Sequence, residues 1–387
     1  MVGLGRRTRQ SEVFVTLLFA IILYSSPAAA NSSGALSAFS PDIFHFKSYL
    51  HLRYSFIQKE SRFPIDEGKW SLRRFKVIVN WRLNQNTQFY SQFGYKTHNS
   101  SSTDDRVYLQ HAYVKLSPAG PLNLKIGQFK PPFGWERFQS DSRIPTVERS
   151  QAVNRLIPNG SLGKSFVRDL GIQSFGNFGK LLPAFQYEFA VMTGSGANTK
   201  LSDSNFPLIV GRLSYRENFL SPLFNKNLDI LLQLANSLRW DRDNDFSKQI
   251  PGCDADIFQH FSGRDNRWNY AVILNTAHSQ FAAEYLTAEY IPDDIGQTKT
   301  LASGWFLEHS CFLRDRWQTV VKYEHFDPDN DEKDNNDLDC LTVGLNYYFN
   351  NKHNRIMLNY IVKNEATSEL KNNMLVIQLQ YFLFGDS

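Results

Sequence analysis

From Phe46 onward the chain alternates apolar and polar residues with a period of two, in segments of about ten to thirteen residues. In the first segment Phe46, Leu50, Leu52, Tyr54 and Phe56 share one parity, and Lys47, His51 and Arg53 share the other. The second sets Phe75, Val77, Val79, Trp81 and Leu83 against Arg74, Lys76, Asn80 and Arg82. Near the C-terminus Ile356, Leu358, Tyr360 and Val362 alternate with Arg355, Asn359 and Lys363. Only an extended strand places such residues on opposite faces. Strands of soluble sandwiches run to about five or six residues. Segments twice as long match a tilted strand that crosses a bilayer. No run of eighteen apolar residues follows the N-terminus, so membrane-spanning helices are excluded while a transmembrane barrel is not.

The connections alternate as well. Asn84–Thr87, Leu313–Arg316 and Asn350–Asn354 are short; Gln58–Lys69, His98–Asp105, Gly127–Ser150, Gly194–Pro207, Arg239–Arg267, Ile291–Ser303, Asp327–Asp339 and Asn364–Asn373 are long and polar. Short turns at one end and long loops at the other describe an up-and-down antiparallel sheet. The segments count to about sixteen, the size of a closed barrel with an aqueous lumen. The predicted class is therefore all-β: a transmembrane antiparallel up-and-down β-barrel. Trp70, Trp135, Trp240, Trp268, Trp305, Trp317, Tyr347 and Tyr348 fall near segment ends, as girdle residues at the membrane surface do.

Residues 1–30 read as a cleaved secretory signal: Arg6, Arg7 and Arg9, then the apolar stretch Val13–Tyr24, then Ala28–Ala30. The barrel domain is then residues 31–387. Removing the signal lowers the formal charge from +4 to +2, so net charge alone names no partner. Cys253, Cys311 and Cys340 have no metal-ligand spacing and make no disulfide framework, and no cofactor is expected.

In a barrel the polar parity faces the lumen. The first two segments place Lys47, His51, Arg53, Arg74, Lys76 and Arg82 there. Later segments add Lys125, Arg212, Lys322, Arg355 and Lys363, with Glu188, Glu284, Glu308 and Glu324 as inward acids. One wall is predicted to be basic and the opposite wall mixed. Basic linings select anions, and arginine offers paired donors suited to phosphate oxygens. The competing use of these cations is to hold loop carboxylates. In the connection GQFKPPFGWERFQSDSRIPTVERS, Pro131, Pro132 and Gly134 turn the chain off a strand end. From Lys130 to Arg168 it carries seven Lys/Arg and three Asp/Glu, whereas Asp327–Asp339 carries seven acids and one lysine.

These residues carry a family resemblance. Leu72-Arg73-Arg74-Phe75, Gly127–Gly134 (GQFKPPFG), Glu148-Arg149-Ser150, Gly344–Tyr348 (GLNYY) and Gln378–Phe382 (QLQYF) occur in the order found in the phosphate-selective porin O/P family. The resemblance implies a sixteen-stranded, trimeric barrel in the outer membrane of a Gram-negative bacterium, with an arginine- and lysine-lined anion path. It implies that the third external loop, here the connection after Gly127, folds into the lumen. Arg73 and Arg74 match a basic pair of the lumenal ladder; Arg137 and Arg143 match basic positions of the constriction loop. At Leu313–Arg316 the chain has a tight turn where phosphate-selecting members carry a longer basic insertion.

The anion path expected from residues and resemblance together is Arg53, Arg73, Arg74, Lys76, Arg82, Lys125, Lys130, Arg137, Arg143, Arg149 and Arg212. The expected function is passive conduction of phosphate-like or other small anions, with outer-membrane lipid and two further copies as partners. The alternative is a non-conducting structural or adhesive barrel. An enzyme is not expected, because the histidines are scattered and no GxSxG pattern occurs. Nucleic acid is not an expected partner, since the basic residues are spread by strand parity rather than gathered among stacking aromatics.

Overall fold

The structure, a computed structural model, describes residues 43–58, 67–96, 106–119, 121–158, 167–194, 196–197, 206–221, 226–244, 261–294, 296–333, 337–349, 353–366 and 372–384. The proposed signal segment lies outside them. Contacts divide the chain into Met1–His45, described only at its end, and Phe46–Ser387, which holds the barrel.

Sixteen strands form one closed ring. They are β1 (Phe44–Ile57), β2 (Glu67–Asn84), β3 (Thr87–Lys96), β4 (Arg106–Ala119), β5 (Leu122–Phe129), β6 (Asp169–Asn177), β7 (Phe185–Met192) and β8 (Leu208–Ser221). The second half is β9 (Lys226–Asn244), β10 (Phe261–Asn275), β11 (Ser279–Pro292), β12 (Thr300–Arg314), β13 (Trp317–Asp327), β14 (Leu338–Tyr348), β15 (Arg355–Glu365) and β16 (Met374–Phe384). Each strand pairs with its sequence neighbours, and antiparallel pairing of β1 with β16, from Ser48↔Phe384 to Ile57↔Met374, closes the ring. The connection from β5 to β6 is the third long one and holds two short helices, α1 (Trp135–Phe138) and α2 (Gln151–Arg155).

Alternation becomes two faces. On β14 Leu341 and Val343 are 39% and 49% exposed, while Thr342 and Asn346 are 3% and 0%. The exposed outer face carries leucine, valine, isoleucine, tyrosine and tryptophan, the composition lipid favours. The buried core lies inside the ring. Phe133, Trp135, Ala152, Val153, Leu156 and Ile157 of the β5–β6 connection pack on inward apolar residues of β7–β13, among them six alanines, Ala190, Ala235, Ala271, Ala282, Ala288 and Ala302, beside larger ones such as Leu208, Ile273, Leu286 and Phe306. The approach is closest at Gly304 of β12, where an added Cβ would stand 2.6 Å from the Ala152 Cβ.

Several expectations are corrected. Register shifts at Ser48/Tyr49 in β1, so that both are buried and Lys47 is exposed rather than lumenal. Trp135 belongs to the internal core and Tyr348 faces inward; neither is a girdle residue. Part of the expected Arg239–Arg267 loop is strand, because β9 runs to Asn244 and β10 starts at Phe261. On the inner face two of its arginines share one acid, with Arg267 bonded to Asp265 at 2.6 Å and Arg239 3.6 Å from it.

Leu358 lies centrally in β15 on the outer face, paired with Leu345 and Ile377. Leu358→Arg is expected to destabilise the vesicle-inserted barrel by about 2–4 kcal/mol in urea unfolding. A change below about 0.5 kcal/mol, the size of an ordinary surface substitution, would contradict the outward assignment.

Candidate functional site

The connection after β5 bonds to residues all round the ring. The main-chain N–H groups of Trp135 and Glu136 donate to the Glu284 carboxylate on β11, at 2.7 and 2.9 Å. Asn346 on β14 donates to the Pro145 carbonyl, and Val147 N–H donates to Asn359 on β15, both at 2.8 Å. Arg355 donates to the carbonyls of Ser142 and Ile144. On the far side Asp141 pairs with Lys76 of β2. In a ring of sixteen, β2 and β11 lie nearly opposite each other. A segment bonded to both crosses the interior.

Helical order within this segment is local. Ser150 caps α2 by accepting from the Val153 N–H at 3.1 Å, and the Ser150 N–H donates to Glu136 at 2.9 Å. Gly134 (φ 81°) supplies the left-handed turn before α1, which a side chain would strain. These two features fold an otherwise irregular stretch back on itself.

The basic sector is where the connection meets β1 and β2. Arg53 Nη1 donates to Glu148 Oε1 at 2.5 Å, and Arg73 holds the same carboxylate by two bonds of 2.8 and 3.1 Å. Arg74 lies 3.5 Å from both Glu148 and Asp141. Period-two alternation would send Arg73 and Arg74 to opposite faces. The β2–β3 ladder, however, starts at Phe75↔Tyr95, and ahead of it both arginines reach Glu148. Asp141 also pairs with Arg149, whose guanidinium further donates to the Gln139 carbonyl at 2.7 Å.

Burial opposes ionisation of Asp141, but Arg149, Lys76 and Arg74 outweigh it and hold the carboxyl well below the usual range. Glu148 is likewise held low against burial by Arg73, Arg53 and Arg74. Burial, then Arg168, Arg149 and Arg137, pushes the Lys130 ammonium well below the usual lysine range. Arg53, Arg73, Arg74, Lys76, Lys130, Arg137, Arg149 and Arg168 thus gather around two carboxylates, a marked cationic surplus.

Apart from Lys130 and Arg137, which belong to that cluster, the remaining sequence-predicted residues lie elsewhere. Lys130 donates to the Arg137 carbonyl at 2.6 Å, and Arg137 is buried. Lys125 on β5 donates to Gln173 at 3.1 Å within a ring of aromatics. Arg212 on β8 pairs with Glu188 and stacks on Phe138, 4.1 Å from its ring centroid. Arg82 is exposed near the turn after β2. Arg143 is exposed beside a cavity of about 270 Å³ that Gln280, Gln318 and Tyr348 also line. Sequence reasoning did not assign Asp141 and Glu148 as anchors, nor Arg168, Asn346 and Asn359. Two acids in a basic connection facing an arginine strand were the available signal.

A carboxylate whose pKa is lowered by folding stabilises the fold above its unfolded pKa, and that contribution is lost as pH falls through the depressed value. Asp141→Asn, which leaves buried Lys76 and Arg149 uncompensated, is expected to cost about 3–5 kcal/mol at pH 7. The gap between wild type and variant should narrow below about pH 4. Urea unfolding across pH 2–8 measures it; a gap independent of pH would remove Asp141 from this role.

Comparison with known proteins places this geometry. Among solved structures, the anion-selective porin from Comamonas acidovorans superposes with a TM-score of 0.57 at 9% identity, covering 88% of this chain and 98% of that one. Salmonella typhi OmpF in complex with daunomycin gives 0.58 at 10% identity, covering 88% and 97%. Vibrio cholerae OmpT in its trimer form gives 0.55 at 12%, covering 88% and 100%. At these identities the likeness is one of fold. Comparison with curated proteins gives no match. The sequence profile of phosphate-selective porin O and P matches residues 46–218 and 258–383, most of the barrel. A closed sixteen-stranded ring with a lipid-facing exterior and that profile is an outer-membrane porin of a Gram-negative bacterium, and the chain belongs to the phosphate-selective porin O and P family.

Proposed function

We propose that this porin passes small anions, phosphate-like oxyanions among them, along the basic sector of β1, β2 and the inserted connection. The observation that carries this reading is the environment of Glu148. Its two oxygens are bonded by Arg53 and Arg73 with Arg74 at 3.5 Å. A cluster of guanidinium forks that binds a carboxylate of the chain itself has the donor geometry for a free oxyanion. The cationic surplus adds long-range attraction, since a low-dielectric wall focuses the field into the lumen. Conduction requires each site to release its anion to the next, and competition from Glu148 and Asp141 for the same donors keeps any one site weak.

The competing carboxylates also bear on selectivity. A permeant anion that offers a single charge meets donors already engaged, whereas a dianion can outbid a tethered carboxylate at Arg53 and Arg73. That favours phosphate over chloride as the more tightly held ion. We further propose that the barrel works as a homotrimer in outer-membrane lipid, in keeping with the porin family and with the trimer form of OmpT.

Purified protein in a planar bilayer under a KCl gradient should give an anion-selective zero-current potential, and phosphate should reduce the chloride current. Arg73→Glu with Arg74→Glu should move the potential toward cation selectivity. Wild-type cation selectivity would overturn the reading, and an unchanged potential in the double variant would remove this pair from the path. Absence of any conductance would favour the non-conducting barrel, which the apolar packing of the connection on β7–β13 would suit.

A further inference from the structure

We propose that the inner faces of β4–β7 hold a second anion site, built on Lys115 and Lys125 and shaped for a small aromatic carboxylate; the idea rests on the anion-channel reading above and specifies a ligand class for it.

Lys115 and Lys125 face each other directly across the β4–β5 ladder. Like charges in that position destabilise a sheet unless something neutral or negative lies between them. Both ammonium groups stand over one ring, that of Phe175 on β6, with Lys115 Nζ 5.4 Å and Lys125 Nζ 5.2 Å from its centroid. Lys125 donates to Gln173, and Lys115 makes no hydrogen bond or ion pair among the described residues. The carboxylate nearest in register, Glu188 opposite Phe175, is engaged by Arg212, its partner across the β7–β8 ladder. Two opposed cations with no carboxylate bonded to either leave a charge for a guest to balance.

The surroundings say which guest. Lys125 also stands 5.2 Å from the Tyr113 ring and 5.1 Å from that of Phe129, and Tyr90 stacks on Tyr113 at 5.0 Å. The basic sector around Glu148 recognises oxygens through guanidinium forks. Here the nearby guanidiniums are engaged: Arg212 is held by Glu188 and Phe138, and Arg168 donates to His111 beside Tyr90 and Tyr113. What remains is the Lys115 ammonium, the Lys125 ammonium beyond its bond to Gln173, and the faces and edges of aromatic rings. A carboxylate satisfies the ammonium groups, and a planar ring stacks offset or edge-on against those rings. A cavity of about 240 Å³ meets the cluster at Phe175, with neither lysine in its lining, and runs on past Asn123, Tyr187 and Glu188.

The test compares benzoate with acetate, which share one carboxylate and differ in the ring. Each is added in turn to either side of a bilayer holding the purified wild-type channel in KCl. Benzoate is expected to reduce the current at severalfold lower concentration than acetate. Lys115→Gln and Phe175→Leu should each raise the benzoate concentration required to that for acetate, while Lys115→Arg retains the wild-type response. Heat-modifiable gel mobility identifies folded barrels, and the two substitutions on different strands provide independent readings. Equal block by benzoate and acetate, or an unchanged benzoate response in folded Lys115→Gln, overturns the site. The zero-current potential in KCl alone separates the two proposals. Cation selectivity would sink the anion channel yet leave a Lys115-dependent benzoate block as evidence for the site, and anion selectivity without that block would do the reverse.

Discussion

Every main-chain N–H and C=O in the hydrocarbon region has to find a partner inside the protein, because no water is there to provide one. The pairing of β1 with β16 is what meets that demand, since it leaves the sheet without an edge. The rest of the architecture follows from it. Strands long enough to cross the bilayer alternate, one parity must be apolar, and polar groups are confined to the interior. A related demand reaches the connection between β5 and β6 where it is buried against the wall. Once inside the ring, its irregular backbone cannot satisfy itself, and the wall does so. Glu284 accepts from Trp135 and Glu136, Asn359 accepts from Val147, and Asn346 and Arg355 donate to Pro145, Ser142 and Ile144. Much of the inward polar parity of β14 and β15 is explained by this one segment rather than by water or solute.

The fold was legible because its constraint repeats. Each strand restates the period of two, so errors at single residues do not disturb the count. What escaped the pattern is local. A bulge at Ser48/Tyr49 cannot be seen in a sequence, since one extra residue in a strand of mixed composition changes nothing but parity, and it moved Lys47 out of the lumen. The Arg239–Arg267 stretch looks like a loop because it is charged. Those charges are tolerated in strands because Arg239, Asp265 and Arg267 face one another on the inner surface.

The site was legible in kind and not in detail. Basic residues on the lumenal parity of β1 and β2 pointed to Arg53, Arg74 and Lys76, and the structure brings all three to the inserted connection. Arg73 came only from the family resemblance, because parity argues against it; its reach to Glu148 depends on where the β2–β3 ladder starts. The alanine-rich inner face of β7–β13 was the larger surprise. A polar lumen predicts polar inward residues, but a sector covered by Phe133, Trp135, Leu156 and Ile157 needs apolar ones. Only the three-dimensional path of the connection tells the two cases apart.

A basic connection lying against a basic wall is electrostatically costly unless something intervenes, and Asp141 and Glu148 are what intervene. Each sits among several cations, and in a medium of reduced dielectric the repulsion they relieve is large compared with that of an exposed pair. Full neutralisation would make the contact more stable and would also abolish any attraction for anions. Two carboxylates among eight basic side chains hold the connection in place while leaving a surplus of positive charge from the arginines. Around Lys115 and Lys125 the balance is struck differently: the nearest carboxylate is engaged by Arg212, and aromatic faces rather than acids surround the ammonium groups. Aromatic rings stabilise a cation without cancelling its charge, since the ring quadrupole is short-ranged and carries no net charge. The two clusters therefore keep a positive field by different means, one by incomplete pairing and the other by pairing with groups that cannot neutralise.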